Sequence, residues 1–344
     1  MKTVVVSTKG ELEVWDVEQP PITSKQAMVR TVSCGICGTD ATLIKQSFKG
    51  FDSASYPLTL GHEGVGEVVE VGDEVTSFEV GDLVILSFVP NLVHDGQTLY
   101  SGWGAFSEYG IIDDLQAYVP GEAPEVAFAQ KKLPEFIDKY EAPVLVTLRE
   151  VSSSIRYFNI QPGESVVVYG SGPVAMAFIK LLTLLGVEDV VAVVRNAEKK
   201  LLLEKLGAKV SINSSQHDIR KRLLELYPEG VNYVLDAVGS ENIMNEAVTL
   251  LKDRGEVLCY GVPRANSMNL NWEDAPYNWR LNLQQMPYKE EEGACHDQII
   301  QWVSEGKLQL SDFISEIIDF EHIAEAFEDY LNGKKTKKVI IKYA

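Results

Sequence analysis

Between residues 165 and 260 the chain alternates short apolar runs with longer segments of helical period. Ser165–Tyr169 (SVVVY), Asp189–Val194 (DVVAVV), 208–212, 232–236 (NYVLD) and 256–260 predict strands. Met176–Leu185 and Glu198–Leu206 predict helices, the second ended by Gly207. Strands alternating with helices imply a parallel, doubly wound sheet, so the fold class is α/β, with this domain over residues 151–290. Upstream the rhythm changes. Residues 57–84, PLTLGHEGVGEVVEVGDEVTSFEVGDLV, place glycines between short Val-rich alternating runs. That predicts a compact antiparallel β-barrel-like domain over residues 1–150. After residue 290 come a helix over Cys295–Ser304, a second over Glu321–Leu331 and a strand over Lys338–Tyr343. Residues 291–344 are expected to complete the first domain. A chain of 344 residues is also too long for one ordinary core, which favours two domains.

The first strand of the α/β domain runs into Gly170-Ser171-Gly172-Pro173-Val174-Ala175 and then a helix. In this strand–turn–helix setting the pattern is a dinucleotide-binding turn. Gly170 makes the tight turn, Gly172 lets the backbone approach a pyrophosphate, and the helix start offers free N–H groups to the anion. The end of the second strand selects the cofactor. Val194 stands where an acid would hold a ribose 2′-hydroxyl, and Arg195 and Asn196 follow, with Lys199 and Lys200 one turn on. NADP(H) is therefore favoured over NAD(H). The alternative is a solvated Arg195 and a site that takes either cofactor.

Residues 33–40 read SCGICGTD. Three readings are open: a redox Cys-x-x-Cys, half of a zinc ribbon, or a site that uses one sulfur. The chain has no second Cys-x-x-Cys, and its four cysteines suggest no disulfide framework. His62 and Glu63 are adjacent, so both serve one site only if the backbone bends, which Gly61 and Gly64 permit. The net charge of −19 repels a phosphate backbone and argues against nucleic acid as a partner. No apolar run is long enough to span a bilayer, and the start of the chain reads as a strand rather than a signal peptide. A cytoplasmic, membrane-free protein is expected.

SCGICGTD, GHEGVGEVVEVG, GDLV, VVVYGSGPVA, DAVG and YGVP occur in this order. Together they resemble the zinc-dependent medium-chain dehydrogenases/reductases, relatives of alcohol, sorbitol and threonine dehydrogenases. Gly61–Val75 resembles the family's zinc signature, and the resemblance runs nearly the full length. It implies a GroES-like catalytic domain and a Rossmann nucleotide-binding domain. It implies that Cys37 and His62 bind one catalytic zinc, with Glu63 as a carboxylate at or beside the metal, and that Cys34 is a buried thiol. It implies that Thr39 hydrogen-bonds the substrate oxygen and passes the alcohol proton outward. Asp40 is implied to orient the ligand histidine; its alternative role is a helix N-cap, and one carboxylate does not easily do both. Ala237, Val238, Gly261 and Val262 are implied to line the nicotinamide side of a cleft between the domains. A homodimer or homotetramer is usual in the family.

The chain departs from the family pattern in three places. Thr42 stands where many relatives end a proton relay with histidine. Residues 86–106 hold no cysteine, so no structural zinc is expected, and His94 there is expected to be a loop residue. The family's third ligand position falls on Val146, which binds no metal. Glu150, four residues on, shares its helical face and is the candidate ligand; otherwise Cys37, His62, Glu63 and water complete the site. The implied activity is hydride transfer between NADP(H) or NAD(H) and a secondary alcohol or ketone. Arg280, Asn282 and Gln284 suit a polyol, sugar or cyclitol, and equally suit a solvent-facing edge strand. The rival readings are a zinc-free quinone or enone reductase of the same fold and a non-catalytic dinucleotide-binding protein.

Overall fold

The computed structural model describes residues 1–263 and 267–344 and divides into two compact units. Residues 150–287 form one, and residues 1–149 with 288–344 the other.

The contiguous unit holds a six-stranded sheet. Its order is Val210–Asn213, Asp189–Val194, Ser165–Tyr169, Val231–Asp236, Leu251–Cys259 and Arg280–Leu283, all parallel. Strand order therefore reverses beside Ser165–Tyr169, the switch point at which such sheets bind ligands. The central strands are apolar on both faces because helices cover both; Val166, Val167 and Val168 are fully buried. Two boundaries differ from the sequence pattern. The fifth strand begins five residues early, at Leu251, because the polar run Lys252–Arg254 disguised its first half. Arg280–Leu283 is a sixth strand at the sheet edge, with Leu281 and Leu283 exposed and Arg280 paired with Glu256 at 3.3 Å. The leucines, not the amides, face outward here: Asn282 is half-buried and Gln284 is 9% exposed, so the alternation is not that of a solvent-facing polar edge.

The other unit is built from a seven-stranded and a five-stranded sheet. Its organising strand is Gln26–Gly35, which pairs with Gly64–Val71, Tyr109–Asp113 and Lys338–Lys342. Ile341 stands opposite Cys34, and Ile340 opposite Gly35. Residues after 288 thus supply a neighbour to the central strand. They also supply Ile314–Asp319, a strand the sequence reading passed over; it alternates half-buried and exposed positions and pairs in parallel with Lys338–Lys342. In place of a four-cysteine lobe stands a hairpin, Leu92–His94 and Gln97–Ser101, turned by Asp95 and Gly96 at positive φ. His94 is the last residue of its strand, not a loop residue, and its ring lies 5.2 Å from that of Trp15.

One buried histidine of this unit should contribute to its acid stability. His296 is 6% exposed, and its Nδ1 has no hydrogen-bond partner. Burial, then the nearby Arg149 and Lys131 charges, push its pKa down to about 4, against a smaller opposing pull from Asp297. The unfolded chain titrates near 6.5. A folded pKa below the unfolded one means that the unfolded state binds the extra proton first. The contribution is therefore full above about pH 6.5 and lost as pH falls through 4, by about 3 kcal/mol in all. Urea unfolding at pH 7.5 and pH 5 should show a smaller acid loss in His296→Gln than in the parent; equal losses would refute it.

Candidate metal centre and nucleotide turn

The central strand ends at Gly35, and Cys37 leads into a helix over Gly38–Ile44. His62 and Glu63 lie between Leu58–Thr59 and Gly64–Val71. The bend that lets both adjacent side chains serve one place is at Gly61, whose φ is +100°. A Cβ there would meet the Phe106 backbone at 2.6 Å, so only glycine fits.

Ligand atoms of Cys37, His62 and Glu63 all lie within 4.8 Å of one another. This is the one group of metal-competent side chains found among the described residues, and Glu150 is not a member. A thiol, an imidazole and a carboxylate are ligand types that zinc takes. Behind them is Asp40, fully buried. One of its oxygens, Oδ2, accepts the Cys37 backbone N–H at 2.8 Å. The other, Oδ1, faces His62 Nδ1 at 3.7 Å, beyond hydrogen-bond range. Both of those facing atoms are buried without a hydrogen-bond partner. Asp40 thus ties down the helix start and addresses the histidine at once, one oxygen for each. With Nδ1 turned to Asp40, Nε2 is the nitrogen left for a metal. Burial alone would push His62 down, but Asp40 and Cys37 outweigh it and hold the imidazole well above its usual pKa. The pocket is therefore one that attracts a cation.

Glu63 is held from behind. Lys338 Nζ reaches both of its oxygens at 2.5 Å, and Thr147 Oγ1 donates to Oε1 at 2.9 Å. Its carboxylate lies over Gly35, where a Cβ would collide with Oε2. Glu63 and Lys338 are 0% and 1% exposed, an ion pair away from water. Tyr330 adds a phenol facing Cys37, Asp40 and Glu63; burial and these charges push it above its usual range. Thr39 is half-buried at the first turn of the helix, and Thr42 spends its hydroxyl on the Thr39 carbonyl at 2.8 Å. Lys338, Thr147 and Tyr330 were not anticipated. The first lies in a KKTKK run that reads as a solvated charge cluster. The other two carried no signal in the sequence.

The candidate nucleotide turn lies in the other unit. Gly170 has φ +128°, and a Cβ would press on Ala175 and Val238. Gly172 opens the helix Pro173–Leu184, has no side-chain cap, and has open space where a Cβ would be. Ser171, Pro173 and Val174 are half-buried around this free helix start, whose N–H groups suit a phosphate. Asp236 fixes the next turn by accepting from Val238, Gly239 and Ser240 N–H at 2.8–3.0 Å. This holds Ala237 and Val238 at the end of their strand, near Gly261 and Val262 at the end of the next. Val238 and Val262 are exposed apolar side chains there. Arg195 is exposed after Val194, its carbonyl bound by Ser215 Oγ at 3.1 Å. Asn196 caps the following turn through its side-chain oxygen.

Two family models match this chain. An alcohol dehydrogenase GroES-like domain matches residues 23–121, and a zinc-binding dehydrogenase domain matches residues 173–288. An alcohol dehydrogenase from Geobacillus stearothermophilus is 28% identical over 274 residues, covering 77% of this chain and 78% of its own. The starvation-sensing protein RspB of Escherichia coli strain K12 is 24% identical over 358 residues, covering 97% of each. Among solved structures, a putative zinc-binding dehydrogenase from Sinorhizobium meliloti 1021 bound to NADP superposes with a TM-score of 0.80 at 22% identity, over 99% of this chain and 98% of the other. With matched models over both domains and relatives aligned along nearly the whole length, the chain belongs to the medium-chain dehydrogenase/reductase superfamily, as an oxidoreductase of the alcohol dehydrogenase-like type.

Proposed function

We propose that this protein is a zinc-dependent oxidoreductase that interconverts a secondary alcohol and its ketone, with NADP(H) preferred over NAD(H). The observation that carries the reading is the convergence of Cys37, His62 and Glu63 within 4.8 Å, with Asp40 behind the histidine. Bound here, zinc supplies a Lewis acid for the substrate oxygen, and the nicotinamide supplies or takes the hydride. The chain does the rest. Cys37 and His62 are the principal ligands, and the Asp40 charge facing Nδ1 favours the tautomer that leaves Nε2 for the metal. Glu63, neutralised by Lys338, closes the rear of the set. Thr39 accepts the alcohol proton on its hydroxyl oxygen while releasing its own to water, because Thr42 provides no imidazole exit.

Zinc content and turnover test the reading together. About one zinc per chain in the parent, none in Cys37→Ala, and NADPH-dependent reduction of simple ketones would support it. Zinc-free protein that reduces quinones or enones would replace it with the zinc-free reductase.

The preference for NADP(H) rests on Arg195 standing exposed after Val194, where no acid competes for the ribose. Losing a charged hydrogen bond to the 2′-phosphate weakens binding about 10- to 100-fold. Arg195→Ala should raise the KM for NADPH by that factor and leave the KM for NADH nearly unchanged. Equal changes for both cofactors would reassign Arg195 to the surface. The exposed edge strand Arg280–Leu283, with Leu281 and Leu283 open, fits pairing with a second copy of the chain. A light-scattering mass of one chain would rule that out.

A further inference from the structure

One wall beside the metal centre is aromatic. Trp103 lies with its ring centroid 5.5 Å from that of His62. Phe48 stands edge-on to Trp103 at 6.2 Å, and Phe51 is tilted against it at 6.0 Å. Phe48 and Phe51 also meet each other at 5.8 Å. All three are half-buried: one side packs on the core that contains Leu58, Leu60 and Phe106, and part of each ring remains open. The cluster is held firmly. Trp103 adopts φ +69°, a conformation bulky residues rarely take, while its carbonyl accepts the Val89 N–H at 2.7 Å. The Phe51 N–H closes a turn on the Phe48 carbonyl at 3.2 Å.

We propose that Phe48, Phe51 and Trp103 receive the larger substituent of the substrate, and that this substituent is an aryl group. The assignment rests on the zinc reading of His62. Its argument is chemical. Three rings already meeting edge-on or tilted offer a further ring the same favoured geometry. Their only polar atom is the indole N–H, so a chain of hydroxyls placed against them would give up water without replacement partners. The wall therefore selects an aryl carbinol over a polyol.

The test uses the full chain with its zinc content measured. With NADP+, kcat/KM is compared for 1-phenylethanol, 2-butanol and sorbitol. Binding of 1-phenylethanol is followed separately by calorimetry. The expected order is 1-phenylethanol first, by about tenfold over 2-butanol, with sorbitol last. In Phe51→Ala the ratio of 1-phenylethanol to 2-butanol should fall about fivefold, as for the loss of one ring contact, and calorimetric affinity should fall in step. Phe51→Leu should recover part of the ratio and serves if the alanine variant folds poorly. A preference for sorbitol or 2-butanol, or a ratio unmoved by the Phe51 variants, would overturn the aryl assignment while leaving the oxidoreductase reading intact. Binding of 1-phenylethanol that depends on Phe51, without turnover of any alcohol, would uphold the wall and sink the oxidoreductase reading. No binding and no turnover would overturn the wall as well.

Discussion

Lys338→Met is expected to destabilise the protein by about 3–5 kcal/mol, the cost of removing one partner from a buried ion pair. Lys338 and Glu63 are 1% and 0% exposed, and both Glu63 oxygens sit 2.5 Å from the ammonium. Without it, the buried carboxylate keeps the Thr147 hydroxyl at 2.9 Å and loses its counter-charge. Glu63→Gln should also destabilise the protein, because the buried ammonium then loses the carboxylate that holds it. The double variant Glu63→Gln/Lys338→Met should regain most of the loss, since neither charge remains to be compensated. Urea unfolding of all four proteins measures this. Additive losses in the double variant would show that the two groups act separately.

The second large effect is expected at Asp40, and it should divide in two. Asp40→Asn keeps an oxygen for the Cys37 N–H and removes the negative charge facing His62. Stability should change little, while zinc affinity falls about 10- to 100-fold, as when the group that orients a ligand histidine is lost. Asp40→Ala removes both contacts. It should show the same loss of zinc affinity and about 1 kcal/mol of additional instability from the uncapped helix start. Competition with a chromogenic chelator gives the affinities, and thermal unfolding of metal-free protein gives the stabilities. If Asp40→Asn binds zinc as the parent does, Asp40 serves the helix alone.

These two cases mark what the sequence made legible. The α/β domain was readable because buried parallel strands are unbroken apolar runs, and Ser165–Tyr169 and Asp189–Val194 fall where those runs predicted. Leu251–Cys259 was half hidden because Lys252–Arg254 interrupts its apolar pattern. At the site, Cys37, His62 and Glu63 could be named from motifs that lie close together in the chain, and the structure brings them together. Glu150 could not be judged by helical periodicity alone. Sharing a face with Val146 fixes a direction along the helix, not a distance to Cys37. Asp40 was weighed as either an N-cap or a partner of histidine. The N-cap is Cys37 and Asp40 stands three residues into the helix: one oxygen accepts the Cys37 N–H, and the other faces His62 beyond hydrogen-bond range. Lys338 was out of reach of any local reading, because its partner lies 275 residues earlier. The aromatic wall combines residues from two separate loops, and nothing in the spacing of Phe48, Phe51 and Trp103 announces it.

The pairing of Lys338–Lys342 with the central strand also sets an order of assembly. Residues 150–287 are contiguous, and on a ribosome that unit is complete while the other still lacks part of its main sheet. Through that interval Gln26–Gly35 has an open edge, and Glu63 has no counter-ion. The group Cys37, His62 and Glu63 is therefore completed late, after residues 150–287 have been made, although all three are translated early. A shortened chain that stops before residue 338 is accordingly not a smaller version of that unit. It lacks the neighbour of the central strand and the charge that lets Glu63 be buried, and its exposed strand edge is free to pair with other chains.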